Sequence, residues 1–149
     1  MVDHALSSYV DVNGMSLRTI RWEPVDGPEK PSIVLVHGLA SNAMLWQGAA
    51  TALAARGHRV VAIDQRGHGL SSKPESGYDM ATVTSDLAAV LVELAGMGFD
   101  RPVVAGQSWG GNVVIELAHR HPGLTRGVVA VDGGFLELQT HFPEWTKCE

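Results

Sequence analysis

The sequence predicts an α/β domain: a mostly parallel central sheet with helices on both faces, opened by a β-hairpin. Three observations carry this. Short β-prone runs at residues 32–36, 59–63 and 101–105, and from Thr125 to Val131, have the length of buried strands. Segments with helical apolar spacing alternate with them, so the crossovers are right-handed and the strands parallel. Asn13-Gly14, set between two other such runs, is the strongest two-residue hairpin signal.

Each element follows in order. Residues 8–12 and 15–22 form the hairpin arms. Residues 23–31 hold three prolines and a glycine, which makes them a loop. Residues 32–36 are continuously apolar, as in a strand covered on both faces. After a loop at 37–41, the alanine-rich stretch 42–56 reads as a helix that Asn42 is placed to cap. Gly57-His58 stops it. The strand at 59–63 leads into a glycine-rich loop, 64–78. The helix at 79–96 sets Met80, Val83, Leu87, Val90, Leu91 and Leu94 on one face. A strand at 101–105 precedes a helix at 109–121, which Pro122-Gly123 ends. The strand ending at Val131 is closed by Asp132-Gly133-Gly134, and residues 135–149 carry no firm pattern. No repeat, low-complexity tract or linker divides the chain, so residues 1–149 read as one unit.

Composition narrows the function. With 45% hydrophobic and 18% charged residues, the 149-residue chain is globular in type. A net charge of −5 with no basic cluster argues against nucleic-acid binding. The single cysteine, Cys148, forms no internal disulfide and suits a reducing compartment. No signal-peptide core or membrane-length run occurs, so the expected protein is cytoplasmic, with no membrane partner. No cofactor is indicated. Residues 106–111 are not G-x-G-x-x-G, no Walker A pattern occurs, and no zinc-ligand cluster is present.

The chemistry centres on Gly106-Gln107-Ser108-Trp109-Gly110, a G-x-S-x-G between a strand and a helix. Gly106 and Gly110 let strand and helix approach closely around a strained turn. Ser108 is then expected at the carboxyl edge of the sheet, reachable by solvent, above the free N–H groups of a helix N-terminus.

At these residues the sequence resembles the α/β-hydrolase superfamily, in its serine-nucleophile, cap-bearing branch. Two further motifs share the resemblance in the family's order: His37-Gly38-Leu39-Ala40, and Asp64-Gln65-Arg66-Gly67-His68-Gly69-Leu70-Ser71. The likeness runs from about Tyr9 to Gly134 and covers the front half of a family domain, about six of eight strands. It implies a partial α/β-hydrolase core whose cap and C-terminal strands are absent.

The resemblance implies Ser108 as nucleophile, with the backbone amides of Leu39 and Trp109 forming the oxyanion hole. The Trp109 ring either walls the pocket or belongs to the core. His37 is expected to be structural, bonding neighbouring loop backbone. Asp64 and Arg66 are expected to organise their loop by an ion pair or backbone hydrogen bonds, and His68 to serve the same loop. His119 and His121, two apart on a helix, share no face and read as solvent-facing. The family order places the acid and the histidine after the nucleophile. Asp132 either supplies the acid or forms its loop. His141, the only histidine beyond it, either folds back over Ser108 or begins a cap segment, leaving the base missing.

The expected function is hydrolysis of an ester-like or other activated carbonyl in a small-molecule substrate, through an acyl-enzyme on Ser108. Esterase, lactonase and carbon–carbon hydrolase remain open. Serine at the elbow argues against the haloalkane dehalogenase and epoxide hydrolase branches, which use aspartate there. The 149-residue chain itself is expected to be inactive, and to self-associate through its edge strand from Thr125 to Val131. The alternative is a non-catalytic fragment or small-molecule-binding protein on the same fold.

Overall fold

A computed structural model gives the architecture and describes residues 5–24 and 30–134. Six strands form one sheet in the order β1-β2-β4-β3-β5-β6. They are β1 (Leu6–Val12), β2 (Met15–Trp22), β3 (Lys30–Val36), β4 (His58–Ile63), β5 (Val103–Gln107) and β6 (Gly127–Val131). The helices are α1 (Gln47–Ala54), α2 (Met80–Ala95) and α3 (Trp109–Arg120). β1 and β2 are antiparallel, β2 meets β4 antiparallel, and β4, β3, β5 and β6 run parallel. The fold is that of a partial α/β hydrolase, as the sequence predicts.

Local chemistry explains the element ends. Asn13 and Gly14 take φ of 52° and 74°, so both central residues of the hairpin turn are left-handed, and Val12 pairs with Met15. Asp79 caps α2 by accepting from the Thr82 N–H at 2.9 Å. The helix expected at 42–56 instead opens as a 3-10 turn (Ala43–Trp46) before α1. Asn42 accepts from the Met44 N–H at 2.9 Å, while the Asp64 carboxylate takes the Ala43 N–H at 2.6 Å. The Asp64 bond is tertiary, so helical periodicity carries no trace of it.

β1 and β3 start two residues earlier than expected, and β5 and β6 two residues later. β5 starts at Val103 and runs on through Gly106 and Gln107, which pair with Ala130 and Val131 of β6. Cross-strand pairing thus extends the strand through a glycine that breaks the sequence pattern. β6 begins at Gly127 because Thr125 is diverted into a local turn. Its hydroxyl donates to Pro102 O at 2.7 Å and accepts from the Gly127 N–H at 3.1 Å.

Alternation along the strands fills two layers. Ile20, Trp22, Leu35, Val60 and Ala62 pack on one face with Ala43, Ala50 and Ala54. Val34, Val36, Val61, Ile63 and Val104 face α2 and α3 on the other. Neighbours such as Val34 and Leu35 therefore lie in opposite cores, and only continuously apolar strands suit that arrangement. All four parallel strands end on one edge, where the three motif loops lie.

A buried ion pair lies on the α2 side of the sheet. Arg66 donates from Nη2 to Asp86 Oδ1 at 2.9 Å and from Nε to Oδ2, a forked geometry. Asn13 Nδ2 also donates to Asp86 Oδ1, at 2.9 Å, and Arg66 Nη1 donates to Gly77 O at 2.7 Å. The hairpin turn, the loop after β4 and α2 thus meet at one carboxylate. The hydrogen bonds that Arg66 donates to the Asp86 carboxylate raise its pKa, so the guanidinium stays charged. Removing Asp86 strands that charge. Asp86→Ala is expected to lower stability by about 3–5 kcal/mol in urea denaturation, while Arg66→Met with Asp86→Leu recovers most of the loss. A single variant as stable as the parent would show that the pair contributes little.

Candidate active site

Ser108 stands between β5 and α3 with φ 52° and ψ −121°, a left-handed conformation that a non-glycine residue holds only when its surroundings impose it. The imposing contacts are backbone. A Cβ on Gly106 would overlap the carbonyl of Gly110, and one on Gly110 would lie 2.5 Å from Val36 O and 2.6 Å from His37 O. Strand, turn and helix are therefore packed backbone to backbone. The Ser108 N–H donates to Val131 O at 3.0 Å, and Ser108 O accepts from the Gly111 N–H at 2.8 Å. Ser108 is half-buried at the carboxyl edge, as the motif predicts.

The loop after β3 lies directly against this turn. A Cβ on Gly38 would sit 3.0 Å from Ser108 Cβ and 2.8 Å from Gln107 Oε1. The Leu39 side chain points outward, 56% exposed, and Ala40 has φ 52°. Trp109 is half-buried and packs on the core, with its amide at the first position of α3.

The histidines fall where the motifs put them. His37 is fully buried. Its Nδ1 pairs with Gly38 O at 2.6 Å and its Nε2 accepts the Gln65 N–H at 3.1 Å, so the proton is assigned to Nδ1. His68 Nδ1 bonds Arg66 O at 2.9 Å, and its ring meets that of His37 edge-on at 5.0 Å. Both bond loop backbone. His119 is exposed and His121 half-buried, so only His119 faces solvent fully. Among the described residues, no group of His, Cys, Asp or Glu is placed to hold a metal ion.

Asp64 and Arg66 organise the loop after β4, but not by pairing with each other. Asp64 accepts from the Ala43 N–H, from the Leu70 N–H at 2.9 Å and from Arg18 at 3.5 Å, whereas Arg66 belongs to Asp86. Asp86 escaped the sequence reading. Its one signal is an acid within the apolar stripe of a helix. Gln65, which grips the His37 backbone, left no signal, because its partner is distant in sequence.

Asp132 follows β6 with φ 49°, and its side chain is exposed. The next residue, Gly133, packs on Ser108 so closely that a Cβ there would overlap Ser108 O. Asp132 is thus at the carboxyl edge, next to the residue that packs on the Ser108 turn. No described imidazole hydrogen-bonds Ser108 Oγ; both His37 nitrogens are engaged elsewhere. His141 and Cys148 lie outside the described residues.

With this geometry in hand, the comparisons agree. Residues 31–149 match the family model for the alpha/beta hydrolase fold, and the chain belongs to that family. It is 35% identical over 87% of its length to 2-(acetamidomethylene)succinate hydrolase of Mesorhizobium japonicum, covering 44% of that protein. It is 36% identical over 82% of its length to epoxide hydrolase A of Mycobacterium tuberculosis, covering 37%. Among solved structures, epoxide hydrolase A of Mycobacterium thermoresistibile superposes with a TM-score of 0.74 at 32% identity, over 85% of this chain and 39% of that one. A thioesterase domain from the curacin biosynthetic pathway gives 0.80 at 26% identity, over 98% and 53%. The chain thus spans less than half the length of these curated relatives, all of them hydrolases. No described helix is long and apolar enough to cross a membrane.

The buried His37 predicts a pH dependence. Burial pushes its pKa below the ordinary 6.5, and the His68 ring adds to this, against weaker opposing effects from the Gly38 carbonyl and Asp64. Below 6.5 the unfolded chain therefore takes up a proton that the folded chain resists. This stability is held in full above 6.5 and is lost as pH falls from there through the folded value. Urea midpoints should drop on acidification, and the drop should shrink in His37→Gln. A pH profile that this substitution leaves unchanged would place the acid sensitivity elsewhere.

Proposed function

We propose that this chain carries the nucleophile and oxyanion-binding half of a serine hydrolase acting on ester-like or other activated carbonyls of small molecules. The observation that carries the reading is the left-handed Ser108 held between β5 and α3 at the sheet's carboxyl edge. Ser108 Oγ adds to the carbonyl carbon as a base takes its proton. The leaving group departs to give an acyl-enzyme, and water releases the acid. The amides of Leu39 and Trp109 hold the oxyanion, with Gly38 keeping that loop against Ser108.

The relatives named epoxide hydrolases support a hydrolase, and Ser108 at the elbow supports the serine branch that the sequence resembles. Esterase, lactonase and carbon–carbon hydrolase are the classes that fit. Asp132 is the acid in the compact form of this reading, since its strand end adjoins the Ser108 turn. A cytoplasmic setting belongs to the same proposal and rests on the lone Cys148. A second reading, a small-molecule-binding protein without turnover, is favoured by one fact: no described imidazole reaches Ser108.

The test is pre-steady-state kinetics with p-nitrophenyl acetate. The 149-residue chain is expected to show no product burst, because no described imidazole hydrogen-bonds Ser108 and a triad enzyme without a placed base retains only about 10³–10⁴-fold over water. A protein that carries this segment together with a base should show a burst that Ser108→Ala abolishes. A burst that survives Ser108→Ala would remove the serine mechanism. A burst from the 149-residue chain that His141→Ala abolishes would assign the base to its own tail.

Assembly follows from β6. Among the described residues it pairs on one side only, carries no charge, and exposes Val129 and Val131. We expect a second copy to pair along this edge. Light scattering should report oligomers, and Val129→Lys should return monomer. A monodisperse parent chain would contradict this.

A further inference from the structure

We propose that Gln65 is a positioning residue that locks both peptide planes around Gly38 and so aims the Leu39 N–H. The proposal deepens the oxyanion-hole reading and rests on it for its functional meaning.

Gly38 is the freest residue of its loop, and two bonds remove that freedom. Gln65 Nε2 donates to His37 O at 2.6 Å, which fixes the plane between His37 and Gly38. The Gln65 N–H donates to His37 Nε2 at 3.1 Å, which leaves the ring proton on Nδ1. That Nδ1–H donates to Gly38 O at 2.6 Å and fixes the next plane, between Gly38 and Leu39. Every described peptide is trans, so the Leu39 N–H points opposite to Gly38 O. Gly38 O faces a fully buried ring, and the Leu39 N–H is therefore turned away from the core, on the side where Leu39 is exposed. One residue thus sets two consecutive planes, by its side chain and by its backbone through a tautomer.

Two further observations support a positioning role. His37 O is wedged between Gln65 Nε2 and Gly110, where a Cβ would lie 2.6 Å from it, so the lock is seated against the nucleophile helix. Gln65 is 7% exposed, and its Oε1 is buried without a hydrogen-bond partner. Turning the carboxamide over would bring that oxygen against the His37 carbonyl, an acceptor that cannot satisfy it, and would break the lock. A buried acceptor left unpaired calls for such a reason.

The test uses the 149-residue chain in the Val129→Lys background that keeps it monomeric, labelled with ¹⁵N, and two substitutions. Gln65→Met keeps the shape and removes the carboxamide; Gln65→Asn keeps the polarity but falls one methylene short. Both leave the backbone N–H in place. In the parent, Gly38 and Leu39 amides should give sharp signals without relaxation dispersion. In either variant the Gly38 amide, whose plane has lost its bond, should broaden or disperse on the microsecond-to-millisecond scale and the neighbouring Leu39 amide should shift with it, while α2 amides stay unchanged. Phenylboronic acid supplies the second readout. Ser108 Oγ adds to boron, its proton passing to solvent, and the tetrahedral boronate anion occupies the oxyanion site. Its binding should weaken about tenfold or more in the variants, since an oxyanion donor is worth 10²–10³-fold. Unchanged Gly38 and Leu39 signals in the variants overturn the proposal. If those signals move but phenylboronic acid does not bind the parent, the lock stands and the hydrolase reading fails. If Gln65→Met does not fold, Gln65→Asn decides the question by the same signals.

Discussion

The structure depends on one close approach, the backbone of β5 and α3 against the end of β3. Gly106 lies on Gly110, and Gly110 lies on the carbonyls of Val36 and His37, with no room for a Cβ at either glycine. This contact forces the turn at Ser108 into its left-handed conformation, because a relaxed turn would separate strand from helix. It also sets the distance between the nucleophile turn and the loop after β3, since Gly38 lies against Ser108 on the same side. The sheet order makes this possible by placing β3 beside β5. Strain at the site is thus offset by packing beneath it.

Buried charge organises the rest of the edge. Asp64 and Asp86 are both buried, and each is held by several donors. Asp64 joins the 3-10 turn after β3 to the loop after β4, and Asp86 joins that loop to the hairpin and α2. Bonds of this kind add little net stability over a hydrophobic core, because desolvation costs about as much as pairing returns. What they supply is direction. An apolar contact tolerates sliding, whereas a forked guanidinium–carboxylate pair holds one geometry. Loops that present backbone amides to a reacting atom require that kind of contact.

Four non-glycine residues with positive φ lie at the carboxyl end of the sheet: Asn13 in the hairpin turn, and Ala40, Ser108 and Asp132 beyond β3, β5 and β6. These strands are neighbours in the sheet and distant in sequence. Strain concentrated on one edge is characteristic of functional sites, where surrounding structure over-determines an unfavourable backbone. The opposite edge of the parallel strands carries one such residue, Arg101, beside β5. The candidate site thus coincides with a cluster of unusual backbone angles.

The sequence by itself determined the fold class, the hairpin, the alternation of strands and helices, and the place of Ser108. All of these rest on interactions near in sequence: Asn13-Gly14 selects its turn, apolar runs of strand length select strands, and G-Q-S-W-G fits only a tight strand-to-helix turn. It also located His37, Asp64, Arg66 and His68 in loops that they organise. Only the tertiary structure decided their partners. Arg66 pairs with Asp86 twenty residues on rather than with Asp64, and Gln65 reaches back to His37. The extension of β5 through Gly106 and Gln107 and the 3-10 entry to α1 were likewise set by β6 and by Asp64. Periodicity reports which face of an element is buried, and motifs report which loop a residue occupies. Neither encodes which polar group a side chain meets once the sheet has closed, since that depends on strand order, and strand order is a property of the assembled chain.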